Sequence, residues 1–309
     1  MARRVDHLKR VIEEEKSSIV RYIGETLTHD AQEDDPVWLV RRKLKIGNLE
    51  YVDWSSNIEK YVSKWSEREN LFPEVPFGNS FSLVFDGVDD HVTFGHSSTV
   101  NFASADSFSW STWIRRATGA TNVRPIVSNM TSTNKGHAIF FVNSKLRVNL
   151  QVTGAAQIIV ETTNTLETNT WKHIVCTYDG SRAGSGVTIY VDGVSVPVDI
   201  LTDALGSNEI ADGSSTLNIG RSGTTYFFGN IDEVSVWDKV LSPSEVSALY
   251  NSGTPTNIVV APFSNSMLHW WRMGEGDVFP IISDNVGSLD GAMTNMAPGD
   301  ITEDNAGDS

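Results

Sequence analysis

Cysteine is nearly absent from this 309-residue chain. Cys176 is the single one, so no internal disulfide framework staples the fold. Positive charge is scarce: 24 Lys and Arg stand against 39 Asp and Glu, a net charge of −15. Such a surface lacks the basic footprint that nucleic acid requires. Long apolar runs are missing, and none approaches the roughly 20 residues of a membrane span, so membrane insertion is not expected. The opening "MARRVDHLKRVIEEEK" has basic residues with no apolar stretch behind them. No signal peptide is expected from it, and synthesis in a reducing cytoplasm is. With 24 Gly and 10 Pro, the composition fits neither collagen nor a low-complexity fibre. Catalytic strings are also lacking: there is no Gly-x-Ser-x-Gly elbow, no His-Glu-x-x-His and no P-loop.

What is present supports a core. Hydrophobic residues make up 39%, and the length allows one large all-β domain or two ordinary ones. Charge divides the chain. Residues 1–72 hold 13 Lys/Arg and 14 Asp/Glu, whereas residues 73–309 hold 11 and 25.

Three regions follow. In residues 1–72, "DHLKRVIEEEK" and "NIEKYVSKWSERENLF" carry apolar residues at helical spacing, and "VWLVRRKLKIG" alternates like a strand. This small mixed α/β region is too charged for a generous core and reads as an attachment or assembly region that needs a partner. Residues 73–254 are a procession of short strands with turn signals at close intervals, the pattern of an antiparallel β-sandwich. Asp192-Gly193 in "YVDGVSV" signals a type I′ hairpin. "SPSEVSALYNSG" predicts one helix. Ser242 and Glu245 form a capping box, Pro243 takes the first turn, Val246, Leu249 and Tyr250 form the apolar face, and Gly253 is the expected C-terminal cap. Residues 255–309 hold "LHWWRMGEGDVFPIISDNVGSLDGAMTNM" and an acidic tail, "APGDITEDNAGDS", expected to be mobile.

The second region resembles the laminin-G-like branch of the concanavalin A-like lectin/glucanase superfamily. The likeness is carried in order by "SLVFDGVDDHVTFG", "FSWSTWIRR", "NTWKHIVCTYDG", "VTIYVDGV" and "FFGNIDEVSVWDKVLSPSEVSALYNSG". It implies a mainly β jelly-roll sandwich of two antiparallel sheets. More loosely, "DDPVWLVRRKLKIGNLEYVDW" and "WWRMGEGDVFPIISDN" resemble pieces of structural proteins of tailed bacteriophages. In relatives of the sandwich a strand like the tryptophan segment precedes "FDGVDD". Here it follows the helix, so it is expected to supply an edge strand, to its own domain or to a neighbouring subunit. Alternation sets Trp270 and Trp271 on opposite sides, so only one need enter the core.

The resemblance implies a structural calcium ion. The matching positions are Asp86 in "FDG" and Asp232 in "NIDEV", with Asp89 and Asp90 in the turn between; calcium takes six to eight oxygen ligands of this kind. The alternative is that Asp86, Asp89 and Asp90 merely form the turn. No enzyme is expected. Glu161 and Glu167 lack the context of a laminarinase-type string, and Asp232 and Asp238 on one face of a strand stand about 20 Å apart. A retaining glycosidase pair needs about 5.5 Å and an inverting pair under about 10 Å. His91, His96, His137, His173 and His269 read as satisfied surface or edge residues, and Cys176 as core. For ligand binding, the loop "RSGTTYFFG" offers Arg221, Thr224, Thr225 and Tyr226 at the surface.

The function these readings favour is a non-enzymatic phage virion protein. Its sandwich would serve decoration, adhesion or receptor binding, with other virion proteins and a host-surface glycan as partners, in a homo-oligomer such as a trimer. The alternatives are a secreted or surface carbohydrate-binding module, or degraded glycosidase, of bacterial origin, and a spacer without ligand.

Overall fold

The computed structural model describes residues 77–309, apart from 120–121, 132–134, 153–154, 212–214, 261–262, 305 and 307–309. The chain divides between Pro76 and Phe77. The expected helices and strand of residues 1–72 therefore lie outside the described residues.

Two antiparallel sheets form a sandwich. The first contains β1 (Ser82–Asp86), β3 (Phe108–Arg116), β8 (Lys172–Tyr178), β9 (Val187–Val191), β10 (Val194–Ser195), β15 (Phe228–Trp237), β16 (Met267–Trp271) and β19 (Ile301–Thr302). Its order is β10-β9-β8-β3-β15-β1-β19, with β16 also on β15. The second contains β2 (His91–Phe94), β4 (Arg124–Ser128), β5 (Gly136–Val142), β6 (Lys145–Gln151), β7 (Gln157–Thr162), β11 (Val198–Asp203), β12 (Asn218–Ile219), β17 (Ile281–Ile282) and β18 (Gly291–Thr294). Its order is β11-β7-β6-β5-β4-β12-β2-β18-β17. A separate hairpin pairs β13 (Arg221–Ser222) with β14 (Thr225–Tyr226).

Period-two alternation builds the core between the sheets. In β3, Phe108, Trp110 and Ile114 join the main core, while Trp113 packs on the opposite side with Trp171 and Ala306. In β1 and β2, Leu83, Phe85, Val92 and Phe94 point inward. Asp192 and Gly193 take φ of 50° and 79°, the two positive values that a type I′ turn needs.

The helix, α1 (Pro243–Tyr250), is capped as its sequence predicts. Ser242 Oγ accepts from Glu245 N at 3.3 Å, and Glu245 Oε2 accepts from Ser242 N at 2.8 Å. Val246 and Leu249 pack with Trp237, Phe263 and Trp270 on the outer face of the first sheet. The C-terminal cap is Asn251, at φ 44°, rather than Gly253. Asparagine tolerates the left-handed region, so the helix stops two residues earlier and runs into a 3₁₀ turn over Asn251–Gly253.

Strand β15 contains a bulge. Its register with β3 shifts between Asp232 and Ser235, and Glu233 sits at φ 49°. The extra residue lets Ile231, Val234 and Val236 all enter the main core. Asp232 therefore does not share a face with the residues two and four places on, which corrects the uninterrupted alternation assumed for this strand.

The C-terminal segment supplies strands to both sheets of its own chain. β16 pairs with the later half of β15, through Val234↔Trp271, Ser235↔Trp270 and Val236↔His269, and so continues the line that β1 takes along the earlier half. β18 lies beside β2 and carries β17, and β19 lies beside β1. Both tryptophans are buried. Trp271 enters the main core, 4.7 Å from the Phe94 ring centroid, and Trp270 enters the cluster under α1. Each side of this strand faces a core, so both rings are taken up. The described residues of the acidic tail pack on the sandwich: Asp304 pairs with Arg115, and Ala306 is buried.

Candidate functional site

β1 ends in a turn that only glycine permits. Gly87 has φ 77°, and a Cβ there would stand 2.8 Å from Phe228 Cβ. Asp86 Oδ1 accepts from the backbone N–H groups of Val88 at 2.8 Å and Asp89 at 3.3 Å. Asp90 Oδ2 accepts from Asp86 N at 2.9 Å. These are turn-forming bonds. They nevertheless gather carboxylate oxygens of Asp86, Asp89 and Asp90 within 4.8 Å of one another. Burial, with the charges of Asp86, Asp300 and Asp89, pushes the Asp90 carboxyl up to about 6. Burial works to raise Asp86 as well, but the N–H groups of Val88 and Asp89 outweigh it and hold that carboxyl below its ordinary value. Three hard oxygen donors crowded by like charge supply part of the six to eight oxygens that a calcium ion takes.

Asp232 does not belong to this set. The β1–β15 register places Phe228 opposite Asp86, which leaves Asp232 four residues, about 13 Å, along the strand. It is fully buried elsewhere. Its Oδ2 accepts from Asn79 Nδ2 at 2.8 Å and from Ala306 N at 3.4 Å. Its neighbour Glu233 accepts from Trp270 Nε1 at 2.5 Å and Arg272 Nε at 3.1 Å. Burial raises both carboxyls. A raised carboxyl suits a general acid, yet these two are only 0% and 6% exposed, so no saccharide reaches them as the chain is folded here.

The hairpin β13–β14 meets the acidic turn. His91 Nδ1 lies 2.8 Å from Asp89 O, and its Nε2 lies 3.1 Å from Arg221 Nη1. Arginine only donates, so Nε2 is the acceptor and Nδ1–H donates to Asp89. Burial lowers the His91 pKa and favours this neutral ring. The Arg221 guanidinium lies 5.9 Å from the Tyr226 ring centroid. Arg124 Nη1 donates to Tyr226 O at 3.0 Å and to Gly87 O at 3.2 Å, tying hairpin and turn together. Thr224 is exposed at the tip, whereas Thr225 Oγ1 is spent on Ser222 O at 2.8 Å. Two groups that look separate in sequence thus form one patch of carboxylates, a guanidinium and an aromatic ring. Such a mixture can orient a hydroxyl-rich ligand.

The sequence did not reveal His91 as the link. It also misplaced the histidines in general: His91, His137, His173 and His269 are buried, and only His96 of the five is exposed. His137 packs among Phe102, Phe108 and Trp110, and burial lowers its pKa to about 3. Cys176 is a buried core residue, as expected.

A family model described as the concanavalin A-like lectin/glucanases superfamily matches residues 86–247. No curated protein matches the chain in sequence. Among solved structures, the chain is similar to a candidate carbohydrate-binding protein from Bacteroides ovatus, with 18% identity and a TM-score of 0.51. That alignment covers 72% of this chain and 60% of the other. A pentraxin from Limulus polyphemus is similar at 16% identity, over 71% and 98% of the two chains, with a TM-score of 0.45. Domain 4 of an extracellular arabinanase from Geobacillus stearothermophilus, in complex with arabinotriose, is similar at 19% identity, over 55% and 76%, with a TM-score of 0.40. At these identities the likeness concerns the fold.

Proposed function

We propose, on the premise that this chain belongs to the concanavalin A-like lectin/glucanases superfamily, that its sandwich is a saccharide-binding module acting by contact rather than catalysis. The observation that carries this reading is His91, which joins the acidic turn to Arg221 and the Tyr226 hairpin. Calcium at Asp86, Asp89 and Asp90 would fix the turn, and Arg221, Thr224 and Tyr226 would face the sugar. The sealing of Asp232 and Glu233 supports a role without hydrolysis. So does the Bacteroides ovatus protein, itself a candidate carbohydrate binder of the same fold.

Within this reading, the module decorates a bacteriophage particle or serves it in adhesion. Residues 1–72 attach to other virion proteins, and the chain assembles as a homo-oligomer. The support is the likeness of the two quoted stretches, before and after the sandwich, to phage structural proteins. The second reading is a bacterial surface module with the same binding chemistry. A glycan array probed with and without calcium tests the binding. Signal that falls at least tenfold in Arg221→Ala and Tyr226→Ala is expected, and an array without any signal rejects the module reading. Mass spectrometry of purified particles separates the two settings: presence of the chain supports the virion reading, and its absence overturns it.

A further inference from the structure

A second recess opens between the β7–β8 connection and the β9–β10–β11 turn. It encloses about 290 Å³. Leu166, Val191, Val196 and Pro197 give it an apolar wall, and Asn164, Thr165, Glu167 and Lys172 give it a polar rim. The volume lies near the lower bound for small-ligand sites, roughly 300 Å³, which suits one sugar ring rather than a chain.

Its walls are fixed in advance. Thr163 N donates to Pro197 O at 3.0 Å and joins the two segments that form its walls. Leu166 N donates to Ser144 O at 2.8 Å, and Arg116 Nη2 donates to Leu166 O. Thr162 Oγ1 donates to Asn164 O at 2.8 Å. A rim held this way loses little freedom on binding. The rim groups nevertheless stay free: among the described residues, the Asn164 amide and the Thr165 hydroxyl make no side-chain hydrogen bond within the protein. Lys172 Nζ, with three donors, lies 2.9 Å from Asp192 and 3.8 Å from Glu167, and Glu167 is largely exposed. Amide, hydroxyl, ammonium and carboxylate around an apolar wall match the hydroxyls and C–H face of a pyranose. Charge sets the choice among sugars. Arg116 and Lys172 balance Asp192 and Glu167, and both cations are already engaged with protein oxygens, so no spare positive charge is left to hold an acidic sugar and neutral ones are admitted.

The recess shares one rim of the sandwich with the acidic turn. The pairs Asp86↔Phe228, Gly229↔Arg116, Ile114↔Lys172 and Ile174↔Val191 all lie toward the same end of the first sheet. Three strand spacings separate β1 from β8, about 14 Å.

We infer that the recess between Asn164–Lys172 and Val191–Pro197 is a second saccharide site that takes one neutral pyranose and needs no calcium. It rests on the reading of the domain as a saccharide-binding module. The test is amide chemical-shift mapping of the full chain with methyl glycosides of glucose, galactose, mannose and N-acetylglucosamine, with N-acetylneuraminic acid as the acidic probe. Expected are shifts at Asn164, Thr165, Val191 and Val196 with a neutral glycoside, unchanged by chelator and absent with the acidic sugar. The surface variant Asn164→Ala/Thr165→Val, checked for an unchanged melting temperature, should weaken binding about tenfold. Neutral sugar that shifts only residues 221–226, or binds the variant equally well, overturns this site and leaves the module reading standing. If no probe shifts the recess while an array shows glycan binding, the site again falls alone. If neither method detects binding, both readings fall.

Discussion

His269 Nδ1 stands 2.5 Å from Asp284 Oδ2, and its Nε2 stands 2.6 Å from Thr99 Oγ1. The contact ties β16 to the loop after β17 and to the 3₁₀ turn over Ser98–Val100. Asp284 also accepts N–H bonds from Val286, Gly287 and Leu289 at 3.1, 2.9 and 2.9 Å. Burial alone would raise its carboxyl. His269 and these N–H groups overcome that and lower it to about 2.

A depressed carboxylate stabilises the fold above its unfolded pKa, near 4, and loses that contribution as pH falls toward its folded value near 2. The side chain is fully buried, so the contribution is on the order of 2 kcal/mol. In urea denaturation, Asp284→Asn should be less stable than the parent at pH 7 by about that amount. The gap should shrink between pH 4 and pH 2. A gap that stays constant with pH removes Asp284 from this role.

Asp90 has the opposite sign. Its folded carboxyl is raised to about 6, so ionising it works against the fold as pH rises from about 4 to 6. Calcium at the turn should relieve this repulsion. Melting temperature at pH 7 should rise by a few degrees with calcium over chelator, and the calcium affinity should fall as pH drops below about 6. Asp90→Asn should abolish the calcium response. Identical melting curves with calcium and with chelator would end the case for an ion.

Gly87 tests the turn by sterics. Gly87→Ala puts a Cβ against Phe228 in a backbone region where Cβ is disfavoured. A loss of about 1–3 kcal/mol is expected, together with weaker calcium binding. A variant as stable as the parent would show that the turn relaxes freely.

Trp271 tests the C-terminal segment. It is fully buried against Phe94 and Trp110, and its Nε1 donates to Leu289 O at 2.7 Å. Trp271→Ala should cost about 3–5 kcal/mol, read by denaturant titration. A chain truncated before residue 262 should lose β16 to β19 and fail to stay folded and soluble. A truncated chain with the parent's stability would show these strands to be dispensable.

What the sequence made legible was local. The capping box at Ser242 and the turn at Asp192-Gly193 each depend on neighbours within a few residues, and each appears as expected. The bulge at Glu233 carried no such mark, because its positive φ falls on a glutamate rather than a glycine. Asp232 joins Asp86 only through the resemblance, and the β1–β15 register, which no local pattern shows, sets the two four residues apart. His91 reaches Arg221 across 130 positions of sequence, and no spacing rule covers such a contact. β17 and β19 have two residues each, too few for periodicity to show that either one pairs.

The pairing of β1 with β19 joins Leu83 to Ile301. A ribosome has therefore made every strand of the domain from β1 to β19 before this contact can form. The first sheet cannot complete its order until β19 has emerged, and β1, the first strand of the domain, waits with one side open. Closure is then a late, long-range event of the kind that slows folding. During that interval the exposed strand is the part of the molecule most in need of protection from other chains.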